Sequence, residues 1–355
     1  MPTVPRKASC RCVTYLLILL MGFACLPVAV TAEEAARFNS GDLSGTVGVR
    51  EWFTSGNNGW SFRGPVQLLA SSPVVRANPL SELKWRGLDS FVTEFYGEVF
   101  YKRFGLLASY GFGNIDNGTL NDDDFTASGG QGRFSHTRSG VNDDSLWRFD
   151  VDLAFHALQW DKPLFAVGRA PETVQKGFVD VLGGYQYWQE QYVAFGATGF
   201  QCTAAFVGTN NCAAFGPATI ASNVKALTQE YRWRSIRLGA RARLPVLRDL
   251  DVNASIMGAP FVWMEMDDVH HLRTDLKHNP SFFSRSENGW GIECDASLSY
   301  RLWKGLFADG GFRYSRIDSG EGNKFTHALS GTTMDRLNST TFERYGPHIS
   351  LNYRW

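Results

Sequence analysis

Strict two-residue alternation constrains this chain more than any other feature. From Trp147 the odd positions read Trp147, Phe149, Val151, Leu153, Phe155 and Ala157, and the even ones Arg148, Asp150, Asp152, Ala154 and His156. Successive strand side chains point to opposite faces, so such a run has one apolar and one charged face. The pattern returns from Leu306, where Ala308, Gly310, Phe312 and Tyr314 oppose Asp309, Gly311, Arg313 and Ser315. It returns again at Val252, Ala254 and Ile256 against Asn253, Ser255 and Met257. In the same way Ile236, Leu238, Ala240, Ala242 and Leu244 oppose Arg237, Arg241 and Arg243. Tyr231 and Trp233 sit on the other parity of that strand, which predicts a bulge near Ser235. The chain closes on Ile349, Leu351, Tyr353 and Trp355, interleaved with His348, Ser350, Asn352 and Arg354. A final strand ending in an aromatic residue is what bacterial outer-membrane barrels present to their assembly machinery.

Composition favours a membrane barrel over a helical membrane protein. Aromatics make up 14% of the chain, with 26 Phe and 36 Gly, yet the mean hydropathy is slightly negative. Strands that alternate lipid-facing and lumen-facing residues give that combination. Lys+Arg and Asp+Glu balance at 35 each, so no nucleic-acid footprint is present. The N-terminus reads as an export signal: Arg6, Lys7 and Arg11 precede the apolar run Val13 to Val30, and Val30-Thr31-Ala32 predicts cleavage after Ala32. An uncleaved anchor fits Pro27 and the small-residue end less well, and Gly22-Phe23-Ala24 is a poor approach to an acylated Cys25. No later segment has the ~18 uninterrupted apolar residues of a spanning helix. The expected mature chain, 33–355, keeps three cysteines. Cys202 and Cys212 flank a loop that a disulfide would close in an oxidising compartment, or they stay unpaired; Cys294 falls in a strand and is read as packing.

Connections alternate in length. Short links fall near Arg103, at Asp161-Lys162-Pro163, over Val246 to Arg248 and at Lys304. Long polar stretches cover about 57–78, 119–144, 200–221, 267–285 and 319–340. Short periplasmic turns and longer extracellular loops are the habit of outer-membrane barrels. The expectation is therefore an all-β, transmembrane, antiparallel up-and-down barrel of about ten strands forming one domain. Expected strand spans are 42–56, 79–102, 104–118, 145–160, 164–199, 222–244, 249–266, 286–303, 305–318 and 341–355. The fifth is long enough that Arg169-Ala170-Pro171-Glu172 should interrupt it.

Ordered local motifs then resemble the omptin family of outer-membrane proteases. They are Leu80-Ser81-Glu82-Leu83-Lys84-Trp85 in the second strand, Asn121-Asp122-Asp123-Asp124-Phe125 in the second long loop, Gly184-Tyr185-Gln186 in the fifth strand and Asp268-Val269-His270 at the top of the seventh. The resemblance spans 42–355. It implies that Asp122 and Asp124 face Asp268 and His270 across a groove, with an attacking water between them and no covalent intermediate. It also implies departures. Family members that cut between basic residues carry acidic groups in the pocket, where this chain has Val74-Val75 and Met266, with Glu265 adjacent. The family's lipopolysaccharide contacts include an acidic and a basic residue where Tyr187 and Gln189 stand here, with Tyr185 retained. Lipopolysaccharide is thus expected to have a degenerate contact site, and no other cofactor is expected.

The chemistry of these residues also stands without the family. Asp268 and His270 are two apart on a strand, so both project to one face, and a carboxylate can orient an imidazole and raise its basicity. Two close carboxylates such as Asp122 and Asp124 resist ionising together and can hold a proton or a water. Blander readings compete: a solvated acidic loop or a loose calcium site for Asp122 to Asp124, and a surface zinc site for Asp268, His270, His271 and His278 or merely polar loop residues. Two functions remain, an endopeptidase acting on peptides at the cell surface, or a non-enzymatic barrel serving as narrow pore or binding protein. Lumen-facing Arg237, Arg241, Arg243, Asp150, Asp152, Asp309 and Arg313 should form a cross-lumen charge network, which argues against a wide channel.

Overall fold

The computed structural model describes residues 43–66, 74–142, 144–161, 176–201 and 218–355. The export signal, the Cys202/Cys212 loop and the Arg169 to Glu172 interruption lie outside these residues. Twelve strands follow one another among the described residues: β1 (Leu43–Val66), β2 (Val75–Tyr101), β3 (Phe104–Ala127), β4 (Gln131–Val141), β5 (Asp144–Trp160), β6 (Gly177–Gln201), β7 (Ala218–Leu247), β8 (Leu250–His270), β9 (Phe282–Trp303), β10 (Leu306–Asp318), β11 (Gly322–Ala328) and β12 (Gly331–Arg354). All pair antiparallel, and β1 pairs β12 from Thr46↔Arg354 upward, which closes the sheet. The Trp355 backbone N–H donates to Gly45 O at 3.1 Å at the seam.

Twelve segments make ten barrel positions. β5 fills the lower part of the gap between β3 and β6, and β4 fills the upper part of the same gap. β10 and β11 divide the gap between β9 and β12 in the same manner. Two of the expected loops are thereby corrected. Residues 119–144 and 319–340 are mostly paired strand, ending in tight turns at 128–130 and 329–330. Their polar composition reflects wall above the membrane, whose outer face meets water, rather than absence of structure. The short link expected at Asp161-Lys162-Pro163 lies, beyond Asp161, outside the described residues. The turns at Lys102-Arg103, Arg248-Asp249 and Lys304-Gly305 are short, as expected.

The outer surface carries a belt of exposed apolar side chains, among them Phe91, Phe95, Val99, Leu106, Leu153, Val181, Leu238, Leu298, Phe312 and Leu351. Tyr101, Phe104, Trp303 and Trp355 edge it on the turn side, and Trp263 and Trp290 on the other. About ten strand residues at ~3.3 Å each, tilted about 40°, span the ~25 Å apolar band of such barrels. This is the fold of an outer-membrane β-barrel.

The lumen is filled in layers. Low down, Arg237 donates to Asp152 at 2.8 Å and lies 3.3 Å from Asp150. Arg313 bridges Glu94 and Asp295 at 2.9 Å each, and Arg241 bridges Glu98 and Asp180. Arg354 lies 3.6 Å from Asp309. Arg243 instead donates to neutral Asn253 at 3.3 Å. What remains open there is a polar cavity of about 210 Å³. Higher up, Arg344 and Glu190 pair at 2.6 Å with both side chains fully buried. Around and above this pair Trp52, Trp60, Trp85, Trp188, Trp233, Tyr231, Met264, Met266 and Phe342 pack into an apolar core.

That apolar layer corrects the reading of β7. Tyr231, Trp233, Ser235 and Arg237 are all buried on one face, so the strand keeps its parity and the interior itself changes from charged to aromatic. No bulge lies at Ser235. The register shift falls beyond Ile236, where Ala259 and Pro260 of β8 stand opposite the single residue Arg237. Proline lacks the N–H that a regular ladder would use, which suits it to a bulge.

Removing one partner of a buried ion pair leaves an uncompensated charge, at a cost of about 3–5 kcal/mol. Glu190→Ala is therefore expected to destabilise the refolded barrel by about that amount in guanidinium titrations, whereas Arg273→Ala, which breaks an exposed pair, should cost less than about 1 kcal/mol. Equal effects of the two substitutions would contradict this layering.

Candidate active site

Both sets of candidate residues owe their inward side chains to a bulge. On β3 the inward positions are odd up to buried Ile115, and even from buried Leu120 onward. Ser90 pairs Ile115 and Asp89 pairs Asn117, so Asp116 is the extra residue. Its β2 partner strand absorbs the mismatch at Gly87, which takes a φ of +59° that glycine adopts without a Cβ clash. On β8, Met257 and Ala259 face inward below the Pro260 bulge, and Val262, Met264, Met266 and Asp268 above it. A one-residue slip exchanges the faces of a strand. Without these two bulges the candidate residues would point out of the barrel.

Above them, Asp122 and Asp124 face inward, cross-strand from Leu83 and Ser81 of β2 and from Thr137 and Ser135 of β4. Asp123 points the other way and binds Arg133 at 3.0 Å and His136 at 2.7 Å. The acidic triplet is thus split by strand alternation, which removes both the solvated-loop and the loose-calcium readings. The hydroxyl of Ser81 hydrogen-bonds Asp124.

Asp268 is fully buried, whereas the His270 side chain keeps 20% of its surface. His270 Nε2 lies 3.2 Å from Asp268 Oδ1. Asp268 Oδ2 accepts from Gln229 Nε2 at 2.9 Å, and Gln229 Oε1 accepts from Trp85 Nε1 and from the Tyr231 hydroxyl, each at 2.7 Å. The carboxylate is therefore held from behind by the aromatic layer. The loop closing β8 to β9 fixes the backbone: Ser281 N–H donates to Asp268 O at 2.8 Å, and His270 N–H donates to Ser281 Oγ at 3.1 Å. The Phe282 ring stands edge-on to the imidazole, 4.8 Å between centroids.

The four groups act on one another electrostatically. Burial, reinforced by the neighbouring Asp124 charge, pushes the Asp122 carboxyl up to about 8, with His270 pulling the other way. Burial likewise raises Asp124, moderated by Ser81 and His270. For His270, burial works to lower the pKa, but the Asp268 carboxylate and its hydrogen bond, helped by Asp122, outweigh it and leave the imidazole raised. The fold thus brings Asp122, Asp124, Asp268 and His270 into one electrostatic cluster.

Other expected contributors stand elsewhere. Met266 faces inward and is fully buried, while Glu265 points outward, 3.3 Å from Arg234. His271 meets Thr228 at 2.8 Å and His278 meets the Arg273 carbonyl at 2.8 Å. Among the described residues no group of three His, Cys, Asp or Glu could hold a metal. Tyr187 faces outward, stacked on Trp147 at 4.5 Å and bonded to Gln189 at 2.9 Å. Cys294 is a free, buried strand thiol. Sequence reasoning missed Gln229 and Lys324. Gln229 shares the inward parity of Tyr231 and could have been found by continuing that alternation.

An ordinary carboxyl titrates near 3.8, and folded Asp122 near 8. Between those values the unfolded chain ionises and the folded one keeps its proton, so wild-type stability falls as pH rises through that window. Asp122→Asn removes this slope. Its stability relative to wild type, read from denaturant midpoints, should grow from about pH 4 to about pH 8; parallel curves would contradict the assignment.

No protein-family model matches the chain, and no curated protein matches it. Solved structures do. The outer-membrane protease OmpT of Escherichia coli superposes with a TM-score of 0.67 at 11% identity, covering 88% of this chain and 97% of that one. The translocator domain of the autotransporter NalP of Neisseria meningitidis matches at a TM-score of 0.34 and 9% identity, over 97% of this chain and 98% of its own. A FadL homologue of Pseudomonas aeruginosa matches at 0.24 and 10%, over 88% and 90%. At these identities the OmpT likeness establishes a shared fold.

Proposed function

We propose that this chain is an omptin-like endopeptidase of a Gram-negative-type outer membrane, cleaving peptides at the cell surface. One observation carries the reading: a partly exposed imidazole, backed by a fully buried carboxylate, shares an electrostatic field with two inward carboxylates. His270 Nε2 lies 3.2 Å from Asp268 Oδ1, and Nδ1 takes a proton from a water. The water oxygen attacks the scissile carbonyl carbon. The protonated member of the Asp122–Asp124 pair donates to the developing oxyanion. The proton on His270 then passes to the leaving amine as the C–N bond breaks. No enzyme atom is acylated.

The filled lumen supports this reading over a pore. The inward Met266 and outward Glu265 leave the groove without the acidic pocket that would favour basic substrate residues. The Tyr187–Gln189 contact takes the place of the charged lipopolysaccharide contacts, so cleavage should proceed in lipid free of lipopolysaccharide. The strand ending at Trp355 would serve as the signal to the barrel-assembly machinery.

Refolded protein offered a mixed peptide library is expected to release new termini, and His270→Ala to lower turnover by about 10³-fold or more. The wild-type rate should rise as His270 loses its proton above pH 6.5 and fall as Asp122 loses its own near 8. Equal turnover by wild type and His270→Ala would leave a non-enzymatic, surface-binding barrel, and single-channel conductance would revive the pore.

A further inference from the structure

Lys324 is a buried charged group within the electrostatic reach of Asp268 and Asp124 that the mechanism above leaves unused. It lies on β11, in a stretch whose composition reads as loop, and its side chain is only 3% exposed. Its Nζ sits 3.7 Å from the centroid of Phe62 and 4.2 Å from that of Phe282. A cation held between two ring faces is bound by both quadrupoles, the more strongly for being desolvated. The same Phe282 ring stands edge-on to His270 at 86°. An ammonium, a phenyl ring and an imidazole thus form a chain of contacts that ends on the base of the Asp268–His270 pair.

We propose that Lys324 is a positioning residue for His270: the ammonium fixes the Phe282 ring, and the ring fixes the imidazole in the plane where Nε2 meets Asp268. The geometry suits this role better than direct contact with substrate. Nζ already donates to Thr326 Oγ1 at 2.8 Å and lies 3.6 Å from Asp335 Oδ2, so its polar valences are turned toward β11 and β12. The charged groups acting on it come from three strands. Asp335 of β12, Asp268 of β8 and Asp124 of β3 each favour the ammonium. Burial opposes them and brings its pKa down to about 8, so at neutral pH the cation is present.

The consequence for turnover rests on the peptidase reading; the consequence for the imidazole does not. The test uses the full-length barrel, refolded in micelles with ¹³C-labelled histidine at neutral pH, with folding checked by heat-modifiable gel mobility. The His270 ring signal is identified by its loss in His270→Ala. Lys324→Met and Phe282→Leu should each shift that signal. Each should also lower kcat by about 10-fold with KM changed less than about 2-fold, and the double variant should lose no more than either alone. Lys324→Arg keeps a cation above the ring and should retain the wild-type signal and at least about half of kcat. Should Lys324→Met fail to fold, Phe282→Leu and Lys324→Arg carry the comparison. An unchanged His270 signal in Lys324→Met or Phe282→Leu, or losses that multiply in the double variant, would overturn the proposal. If wild type cleaves no peptide, the peptidase reading fails and the ring signal alone decides the positioning role.

Discussion

A sheet that crosses lipid has no water to satisfy its edges, so every backbone N–H and C=O must find its partner within the sheet. The seam between β1 and β12 meets that demand here, and the rest of the structure follows from it. Closure at ten positions makes a lumen narrow enough for side chains to meet across it. Arg313 of β10 reaches Glu94 of β2, and Arg148 of β5 reaches Glu293 of β9. Charges that would be intolerable singly are held in a mutually satisfied layer. The outer face is then free to be apolar.

On that base the interior changes character with height. Charged residues give way to tryptophans and methionines, with the Arg344–Glu190 pair set among them. The aromatic layer forms the floor of the groove. Through Trp85, Tyr231 and Gln229 it grips the inner oxygen of Asp268, so the site is anchored on packed strands rather than on loops. Groups held by locked neighbours keep the geometry that proton transfer demands. The apolar floor also withholds solvent from Asp122 and Asp124, which sets their raised pKa values.

Much of this was legible in the sequence. Alternation from Trp147 and from Leu306 located spanning strands, and the arginines and aspartates on their polar faces do meet across the lumen. Asp268 and His270 do share a face, as a separation of two on a strand requires. Other features were hidden for definite reasons. The polar stretches 119–144 and 319–340 read as loops because wall above the membrane has a wet outer face and loses its apolar alternation. β7 seemed to change parity because apolar residues were taken to face lipid, whereas Tyr231 and Trp233 belong to an apolar interior. The bulges at Asp116 and Pro260, which aim the acidic pairs inward, depend on pairing between strands, and Pro260 was their one local sign. Lys324 was hidden because the rings that hold it, Phe62 and Phe282, come from distant segments.

The central claim is that two walls of the groove, built on β3 and β8, act as one site. Groups that act as a unit show strongly non-additive losses. The most direct measurement is therefore kcat/KM for peptide cleavage by refolded wild type, Asp122→Asn, His270→Ala and the double variant. A single site predicts that the double variant is no slower than the worse single variant. Losses that multiply, or a wild type without turnover, would contradict it.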